Sequence, residues 1–538
     1  MIVLGLHGGV TLGQHEPSAA IAIDGKIIAS CEEERYLRIK SAYGYLPLYS
    51  IKACLEIAKI KWEDINLIIT PGVTYNDFDN RIFNYLKHLF GSCPKIERIH
   101  HQLAHLSAAF FGSGYNKSLV LSLDATGDSS CGMIGIGDQE NGIKVLNTFP
   151  TNKSLGFFYT MMTYYLGFTD GDEYKVMGLA PYGKPNIDLS KILKSTDEDW
   201  NFDWSFIKNN PPLRSPFEPV YSEKIFEVLK QPNRLANEKI SQYHKDVASS
   251  TQKTFEETLL NLVNVIKSKN KDIENFSYAG GVALNCAANK KLYDSGLFKN
   301  IYISPVSSDR GLAIGCAYHG SFISGSKPWQ LSSVYQGSSY SNDDIKNELE
   351  SNSIKYSEYS NPSEKAAELI SQGKIIGWFQ GRSEAGARAL GNRSILADCS
   401  DPSMQNKVNA KIKFREKFRP FAPSALKEKS IDYFETNNLN LPSMSATVKV
   451  NDHGKKKFPS IVHLDDTARI QTVKSSDNEL YYDLIRNFDK HTDKPVIMNT
   501  SFNLKGQPIV ETPRDALMTF FGCGLDSLFI SNFLINKK

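Results

Sequence analysis

RIHHQLAHLSAAFFGSGYNKSLVLSLDATGD, residues 98–128, joins a helix pattern to a strand pattern. Residues 102–111, QLAHLSAAFF, hold no Pro or Gly and several good helix formers, so a helix is predicted there. Positions i and i+4 share a helix face, so His101 and His105 can converge on one point, with His100 beside them. Ser118–Leu123 is apolar and alternating, as a strand should be, and runs into the turn-rich DATGD of residues 124–128. That puts Asp124 at the mouth of a sheet. Two imidazoles and a carboxylate suit a borderline divalent metal such as Fe, Zn or Mn. Taken alone, HxxxH fits a pair of surface histidines at least as well. The surrounding chain shifts that balance.

The 538 residues are 41% hydrophobic and 22% charged, ordinary globular material with room for several domains. A formal net charge of +3 gives no support for a strongly basic nucleic-acid surface. The eight Cys are scattered, with no CxxC, which argues against a zinc ribbon or a redox dithiol and for buried thiols in a reducing cytosol. No apolar run approaches a membrane span, and the first ten residues lack the basic flank of a signal peptide. The expectation is a cytoplasmic protein with no membrane and no nucleic-acid partner.

Outward from the histidines, residues 2–9 (IVLGLHGG) read as a buried strand ending in glycines, and residues 11–18 as a polar loop containing His15. Residues 18–23 and 26–35 read as a hairpin about Asp24-Gly25, a strong turn pair. Strand, glycine loop and hairpin open phosphate-binding folds of the actin and sugar-kinase type, where backbone N–H groups approach an anion. Within CEEERYLRIK (31–40), Glu32 and Glu33 are expected on a solvated strand end, and Lys40 could reach an anionic ligand. GDEYK (171–175) sets two acids and a Lys in a glycine-flanked turn suited to ribose or phosphate contacts; residues 185–245 look like an insertion; residues 238–267 read as a long amphipathic helix. FSYAGGVALNCAANKKL (276–292) is strand, Gly280-Gly281 and helix, which permits close approach of a nucleotide. IYISPVSSDRGLAIGCAYHG (301–320) repeats the idea and carries Asp309, which either completes a site with His101, His105 and Asp124 or caps a helix. The Gly/Ser-rich stretch 320–345 marks a domain boundary, followed by a helix near 363–372 and a strand over 374–379.

A second constellation follows in GRSEAGARALGNRSILAD (381–398) and NAKIKFREKFRPFAPS (409–424), with Arg382, Arg388, Arg393, Lys411, Lys413, Arg415, Lys417 and Arg419. Arg469 in DDTARIQTV (465–473) and the hydroxyl and amide groups of Asn499–Asn503 add to it. Here Arg alternates with Gly, Ala, Pro and Phe, whereas a solvated basic face interleaves Lys with Glu. That pattern favours a fixed recognition site for phosphate or carboxylate oxygens.

Together these segments resemble the O-carbamoyltransferase family that includes nodulation, cephamycin and tobramycin carbamoyltransferases. The resemblance spans nearly the whole chain and rests on HxxxH (101–105), GDEYKVMGLAPYG (171–183), AGGVALN (279–285), RALGNRSILAD (388–398), FRPFAPS (418–424), DDTARIQTV (465–473) and NTSFN (499–503). It implies an α/β protein. Residues 1–335 form a TsaD-like domain of the actin/sugar-kinase superfamily (ASKHA) with two ribonuclease-H-like halves, and residues 336–538 form a YrdC-like domain. In such enzymes the YrdC-like domain makes carbamoyl adenylate from carbamoyl phosphate and ATP, and the TsaD-like domain, with iron, passes the carbamoyl group to an acceptor hydroxyl. By that resemblance His101, His105, Asp124 and Asp309 are the metal ligands, with Fe first and Zn or Mn as alternatives. Arg388, Lys413, Arg419, Arg469 and Ser501 form the carbamoyl phosphate and ATP site. Gly280, Gly281 and Asn285 lie on the nucleotide-binding motif. His15 and Lys40 fall where the family handles carbamoyl adenylate, and His15 is the candidate base for the acceptor hydroxyl. Three departures stand out: Glu16 after His15 where Asp is usual, EAGARALG where EFGPRALG is common, and Arg310 after Asp309 where a small residue is usual.

The expected partner is a small-molecule acceptor (a sugar, aminoglycoside, nucleoside or polyketide), and a homodimer is compatible with the sequence. Two other readings compete. A threonylcarbamoyl-type transferase on tRNA fits the near-neutral charge poorly, and an actin/Hsp70-like ATP-binding switch has no need of a second anion site.

Overall fold

A computed structural model describes residues 1–9, 14–208 and 218–537. Part of the predicted polar loop (residues 11–13) and part of the predicted insertion (residues 209–217) lie outside the described residues. Two compact units divide the chain: residues 1–14, 21–27 and 61–331, and residues 15–20, 28–60 and 332–538.

Two five-stranded sheets repeat one plan. One runs in the order Lys26–Glu32, Ser18–Ile23, Ile2–His7, Leu67–Pro71, Lys95–Ile99. The other runs Gly142–Pro150, Ser130–Asp138, Lys117–Gly127, Asn275–Ala279, Asn300–Ile303. Counted by appearance in the chain, both read 3-2-1-4-5. In the second, the first three strands form an antiparallel meander and the last two add in parallel. In the first, Ile2–His7, Leu67–Pro71 and Lys95–Ile99 also run parallel. The repeated order is the pair of ribonuclease-H-like halves expected of an actin/sugar-kinase-like fold. Buried apolar runs such as VLGL (3–6) and SLVLSL (118–123) suit strands covered on both faces.

The helices that carry the site pack backbone to backbone. His101–Ser113 lies against Leu312–Ile323, and a Cβ at Gly315 would sit 1.9 Å from the carbonyl oxygen of Ala104. Only glycine permits that approach, and it brings Asp309, in the 3-10 turn Asp309–Gly311 just before the second helix, towards the two histidines. The predicted long helix spans Gln242–Lys269, with Ser241 as N-cap in a box with His244.

The second unit is built on an eight-stranded mixed sheet ordered Ser357–Glu358, Phe533–Asn536, Ser527–Ile530, Ile376–Phe379, Arg393–Ala397, Val496–Ser501, Ala422–Leu426, Gln471–Val473. Helices Pro362–Ser371 and Glu479–Thr492 bury Ala366, Ile370, Tyr481, Leu484, Ile485 and Phe488 against Trp378, Leu396, Ile497 and Phe529 of that sheet. The predicted helix and strand at the start of this region appear as Pro362–Ser371, capped by Asn361, and Ile376–Phe379.

One expectation is overturned at residues 31–35. The strand stops at Glu32, a short helix follows over Glu33–Leu37, and Glu32, Glu33 and Glu34 are buried rather than solvated. Glu33 accepts from the backbone N–H groups of Tyr49 and Ser50 and from the Ser50 hydroxyl. Glu34 accepts from the N–H of Ser41 at 2.6 Å. Charge density in a sequence signals solvent only when the chain offers no buried donors, and here Ser41 and Tyr49–Ser50 offer them. Among the described residues no helix is long and apolar enough to cross a membrane.

Candidate metal centre and anion site

His101 and His105 both lie on the buried face of their helix, 7% and 0% exposed. His101 Nε2 is 3.3 Å from Asp124 Oδ2 and 3.5 Å from Asp309 Oδ1; His105 Nε2 is 3.4 Å and 3.5 Å from the same two oxygens. These four ligand atoms all lie within 4.8 Å of one another. A four-coordinate ion with bonds of about 2.1 Å needs ligand–ligand edges of about 3.4 Å. Four of the six edges match that, so the donor set fits a divalent metal.

The remaining carboxylate oxygens are also held. Asp124 Oδ1 accepts from the N–H of Ala125 at 2.7 Å, and Asp309 Oδ2 lies 3.5 Å from His7 Nε2. A Cβ on Gly281 would stand 2.8 Å from Asp124 Oδ1. The glycine of the predicted nucleotide turn thus has a local reason to be there: it leaves room for a metal-site carboxylate. Burial disfavours the His101 cation, but the carboxylates of Asp309 and Asp124 outweigh it and push its pKa up to about 10. Burial and the facing Asp309 work against ionisation of Asp124, and the two imidazoles overcome them and hold it below the usual carboxylate range. The two carboxylates thus favour positive charge at this point, which a divalent cation would supply.

In the second unit, Lys413 ends a π-turn over Asn409–Lys413 and is 5% exposed. Its ammonium donates to the carbonyl and hydroxyl of Ser501 and to Asn503 O at 3.1 Å and Oδ1 at 2.8 Å. Burial, then the neighbouring Arg415 and Arg419 cations, push Lys413 well below the usual lysine range. An arriving anion would reverse that. Sheet register gathers the other candidates at the same end. Asn499 pairs with Leu396 and Ala422, Ser501 pairs with Ser394, and Gln471 pairs with Ser424. Arg469 lies in the short link between the strands Thr467–Ala468 and Gln471–Val473. Its Nε is buried with no partner among the described residues. Arg419 approaches Glu416 at 3.4 Å, and Arg388 donates to the carbonyl of Ser443 at 3.3 Å. The Ala389 carbonyl beside Arg388 accepts from Asn499 Nδ2 at 3.2 Å.

Residues 70–318 match the family Carbamoyltransferase N-terminus, and residues 367–537 match Carbamoyltransferase C-terminus. Nodulation protein NolNO of Sinorhizobium fredii is 34% identical over 580 residues, covering 100% of this chain and 83% of that one. The chain belongs to the carbamoyltransferase family. Nodulation protein NolO of Bradyrhizobium diazoefficiens is 37% identical, with 82% of this chain and 79% of that one covered. An uncharacterized protein of Synechocystis, sll1178, is 34% identical over 98% of this chain and 96% of its own. The protein is a carbamoyltransferase enzyme.

Not every singled-out residue of this carbamoyltransferase lies in one of the two clusters. Asn285 is the N-cap of Cys286–Asp294, accepting from the N–H of Ala288, and its amide bonds reciprocally with Gln252. Gly280 has φ +92° and lies where a Cβ would be 2.1 Å from the carbonyl of Leu123. His15 and Lys40 fall in the second unit: His15 is half-buried, with its ring 5.4 Å from that of Tyr43, and Lys40 is exposed in a turn. Arg310 is buried and reaches the Ser308 hydroxyl at 3.4 Å. Two arginines of the basic constellation serve the backbone instead of a ligand. Arg393, fully buried over the Phe379 ring at 3.7 Å, donates to the carbonyls of Gln380, Gly381, Asn392 and Ser338. Arg382 donates to the carbonyls of Gly337, Ile28 and Gln336.

His7 and Asp128 were missed as site residues. Asp128 is 4% exposed and accepts from the N–H of His101 at 2.7 Å, pinning the start of the histidine helix. The signal for His7 was a lone imidazole closing an otherwise apolar strand. Asp128 had none, because a left-handed Asp-Ser turn (φ 51° and 60°) looks like any hairpin tip.

Proposed function

We propose that this carbamoyltransferase is an ATP-dependent O-carbamoyltransferase acting on a small-molecule hydroxyl, with the YrdC-like role in residues 336–538 and the TsaD-like role in residues 1–335. The observation that carries the reading is the buried Lys413, which donates to Ser501 and Asn503 while burial and the nearby Arg415 and Arg419 cations push it below the usual lysine range. Basic side chains gathered beside hydroxyl and amide groups suit the polyphosphate of a nucleotide and the phosphate of carbamoyl phosphate. Carbamoyl phosphate loses inorganic phosphate to water, leaving carbamate. A carbamate oxygen then bonds the α-phosphorus of ATP while the bond to pyrophosphate breaks, giving carbamoyl adenylate. Lys413, Arg388, Arg419 and Arg469 would hold the developing phosphoryl charge. The acceptor hydroxyl then attacks the carbamoyl carbon, AMP leaves, and a base takes the hydroxyl proton; His15 is the candidate base and Lys40 the candidate contact to the adenylate.

His101, His105, Asp124 and Asp309 would hold the divalent metal, iron before zinc or manganese. Bound there, it would supply Lewis acidity and orientation for the transfer half. His7 would steady Asp309, and Asp128 the backbone of His101. The metal cluster and the cation set share no residue, so the two half-reactions can be separated. His101→Ala is expected to lose its metal by elemental analysis and fail to carbamoylate an acceptor, yet release pyrophosphate from ATP and carbamoyl phosphate. Arg419→Ala is expected to lose pyrophosphate release and keep its metal. Loss of both halves in a folded His101→Ala protein, or pyrophosphate release at the wild-type rate in Arg419→Ala, would refute the assignment. Pyrophosphate release without tRNA also separates this reading from a tRNA-directed transferase.

A further inference from the structure

The loop from Ser383 to Arg393 carries Arg388, and side chains grip the peptide groups around that arginine. Glu384 is 0% exposed, and its Oε1 accepts from the N–H groups of Leu390 at 2.5 Å, Asn392 at 3.4 Å and Arg393 at 3.3 Å. The loop thus closes on a carboxylate at its own start. Gly386 is held through both backbone groups: its N–H donates to Glu32 Oε1 at 2.5 Å, and its carbonyl accepts from Arg35 Nη2 at 2.7 Å. On the far side, the Leu390 carbonyl accepts from Tyr335 at 2.7 Å and Gln471 at 2.8 Å. Only Ala387, Arg388 and Ala389 stand between the two sets of anchors.

Glu32 and Arg35 are 3% and 2% exposed and lie 3.3 Å apart, on a segment remote in sequence from the loop they hold. A loop at a surface can satisfy its peptide groups with water. Burying a charged pair and a third carboxylate for the purpose is poor design for stability, since well-packed apolar residues often do as well or better. It is good design for fixing an arginine. Bidentate recognition of an anion needs the guanidinium held within about 0.5 Å of its productive position, by supporting groups that are themselves locked.

We propose that Glu32, Arg35 and Glu384 are positioning residues for the activation half-reaction: they hold the 383–393 loop so that Arg388 meets the phosphate-bearing substrate pre-aligned. The inference rests on the reading of Arg388 as an anion contact. The test is a double-mutant cycle on the full-length enzyme, following pyrophosphate release against carbamoyl phosphate concentration. Glu384→Ala and Arg35→Met are each combined with Arg388→Ala. Each single variant raises KM for carbamoyl phosphate about tenfold or lowers kcat/KM by the same factor. Glu384→Gln, which keeps an acceptor oxygen, recovers most of the loss. In the Arg388→Ala background the loop variants add nothing further. Should Glu384→Ala not fold, the Arg35→Met cycle decides. Losses that multiply independently, with Arg388→Ala itself impaired, overturn the positioning role and leave the anion site standing. An Arg388→Ala enzyme as active as wild type overturns the anion-site reading, and the positioning role with it.

Discussion

Replacing Asp128 by Ala tests how the candidate metal centre is built, without touching a proposed ligand. Asp128 Oδ2 accepts from the N–H groups of Gly72 at 3.1 Å and His101 at 2.7 Å, and Oδ1 from the N–H and hydroxyl of Thr74 at 3.0 and 2.9 Å. One carboxylate therefore ties the 72–74 loop, the histidine helix and the hairpin tip together. Thr74 is exposed and can turn to water after truncation, whereas Gly72 and His101 are buried and cannot. Two stranded donors at about 1–3 kcal/mol each give a destabilisation of about 2–6 kcal/mol, read as a shift in the urea midpoint. The consequence for the metal is separate. With the first turn of the helix unpinned, His101 loses its fixed aim at Asp124 and Asp309, and loss of such a supporting contact lowers metal affinity by about 10–100-fold. Titration of folded Asp128→Ala with Fe(II) or Zn(II), beside wild type, measures it. Asp128→Asn, which keeps one acceptor oxygen, is expected to fall between the two. A folded Asp128→Ala that binds metal as tightly as wild type would show that the cluster does not depend on where its helix begins.

Two further outcomes follow from other parts of the molecule. Lys413→Ala removes the ammonium shared by Ser501 and Asn503 and is expected to cut pyrophosphate release by about 10²–10³-fold, with metal content unchanged; a smaller effect than that of Arg419→Ala would move the centre of the anion site away from Lys413. Asp401 bonds the Lys407 ammonium at 2.7 Å and the Ser403 hydroxyl, which lower its pKa to about 2. A carboxylate depressed on folding stabilises above its unfolded pKa of about 3.9 and loses that contribution as pH falls towards about 2. Asp401→Asn should therefore melt below wild type at neutral pH, with the gap shrinking as pH falls through about 2; a gap as large at pH 2 as at neutral pH would exclude the linkage.

Much of the fold was readable because its signals are local. Buried strands are apolar runs, and the Asp24-Gly25 pair marked a hairpin that the structure contains. The two glycine-punctuated strand-to-helix turns near residues 280 and 310 both follow strands of the second sheet, Asn275–Ala279 and Asn300–Ile303, so the duplication shows in the repeated 3-2-1-4-5 order and not in that pair of turns. The HxxxH spacing put His101 and His105 on one helical face, whereas Asp124 lies inside the strand Lys117–Gly127, whose turn comes only at Asp128-Ser129 and not from residue 124 as expected. What misled was charge. CEEER reads as a solvated segment, yet its carboxylates are consumed by N–H groups at residues 41, 49, 50 and 386. Arg382 and Arg393 look like ligand-binding arginines and instead satisfy carbonyls.

The sequence by itself determined the elements, the α/β plan, the family and the types of residue available to each site, because these depend on spacing and composition along a few tens of residues. Only the tertiary structure decided which charges serve ligands and which serve the backbone. Asp309 reaches the histidines because Gly315 lets two helices touch, and Arg388 is framed by Glu32 and Arg35 because a distant segment folds over its loop. An isolated Arg, Glu or Asp in a sequence carries no record of the donor or acceptor that will desolvate it. That partner is chosen by packing between segments hundreds of residues apart.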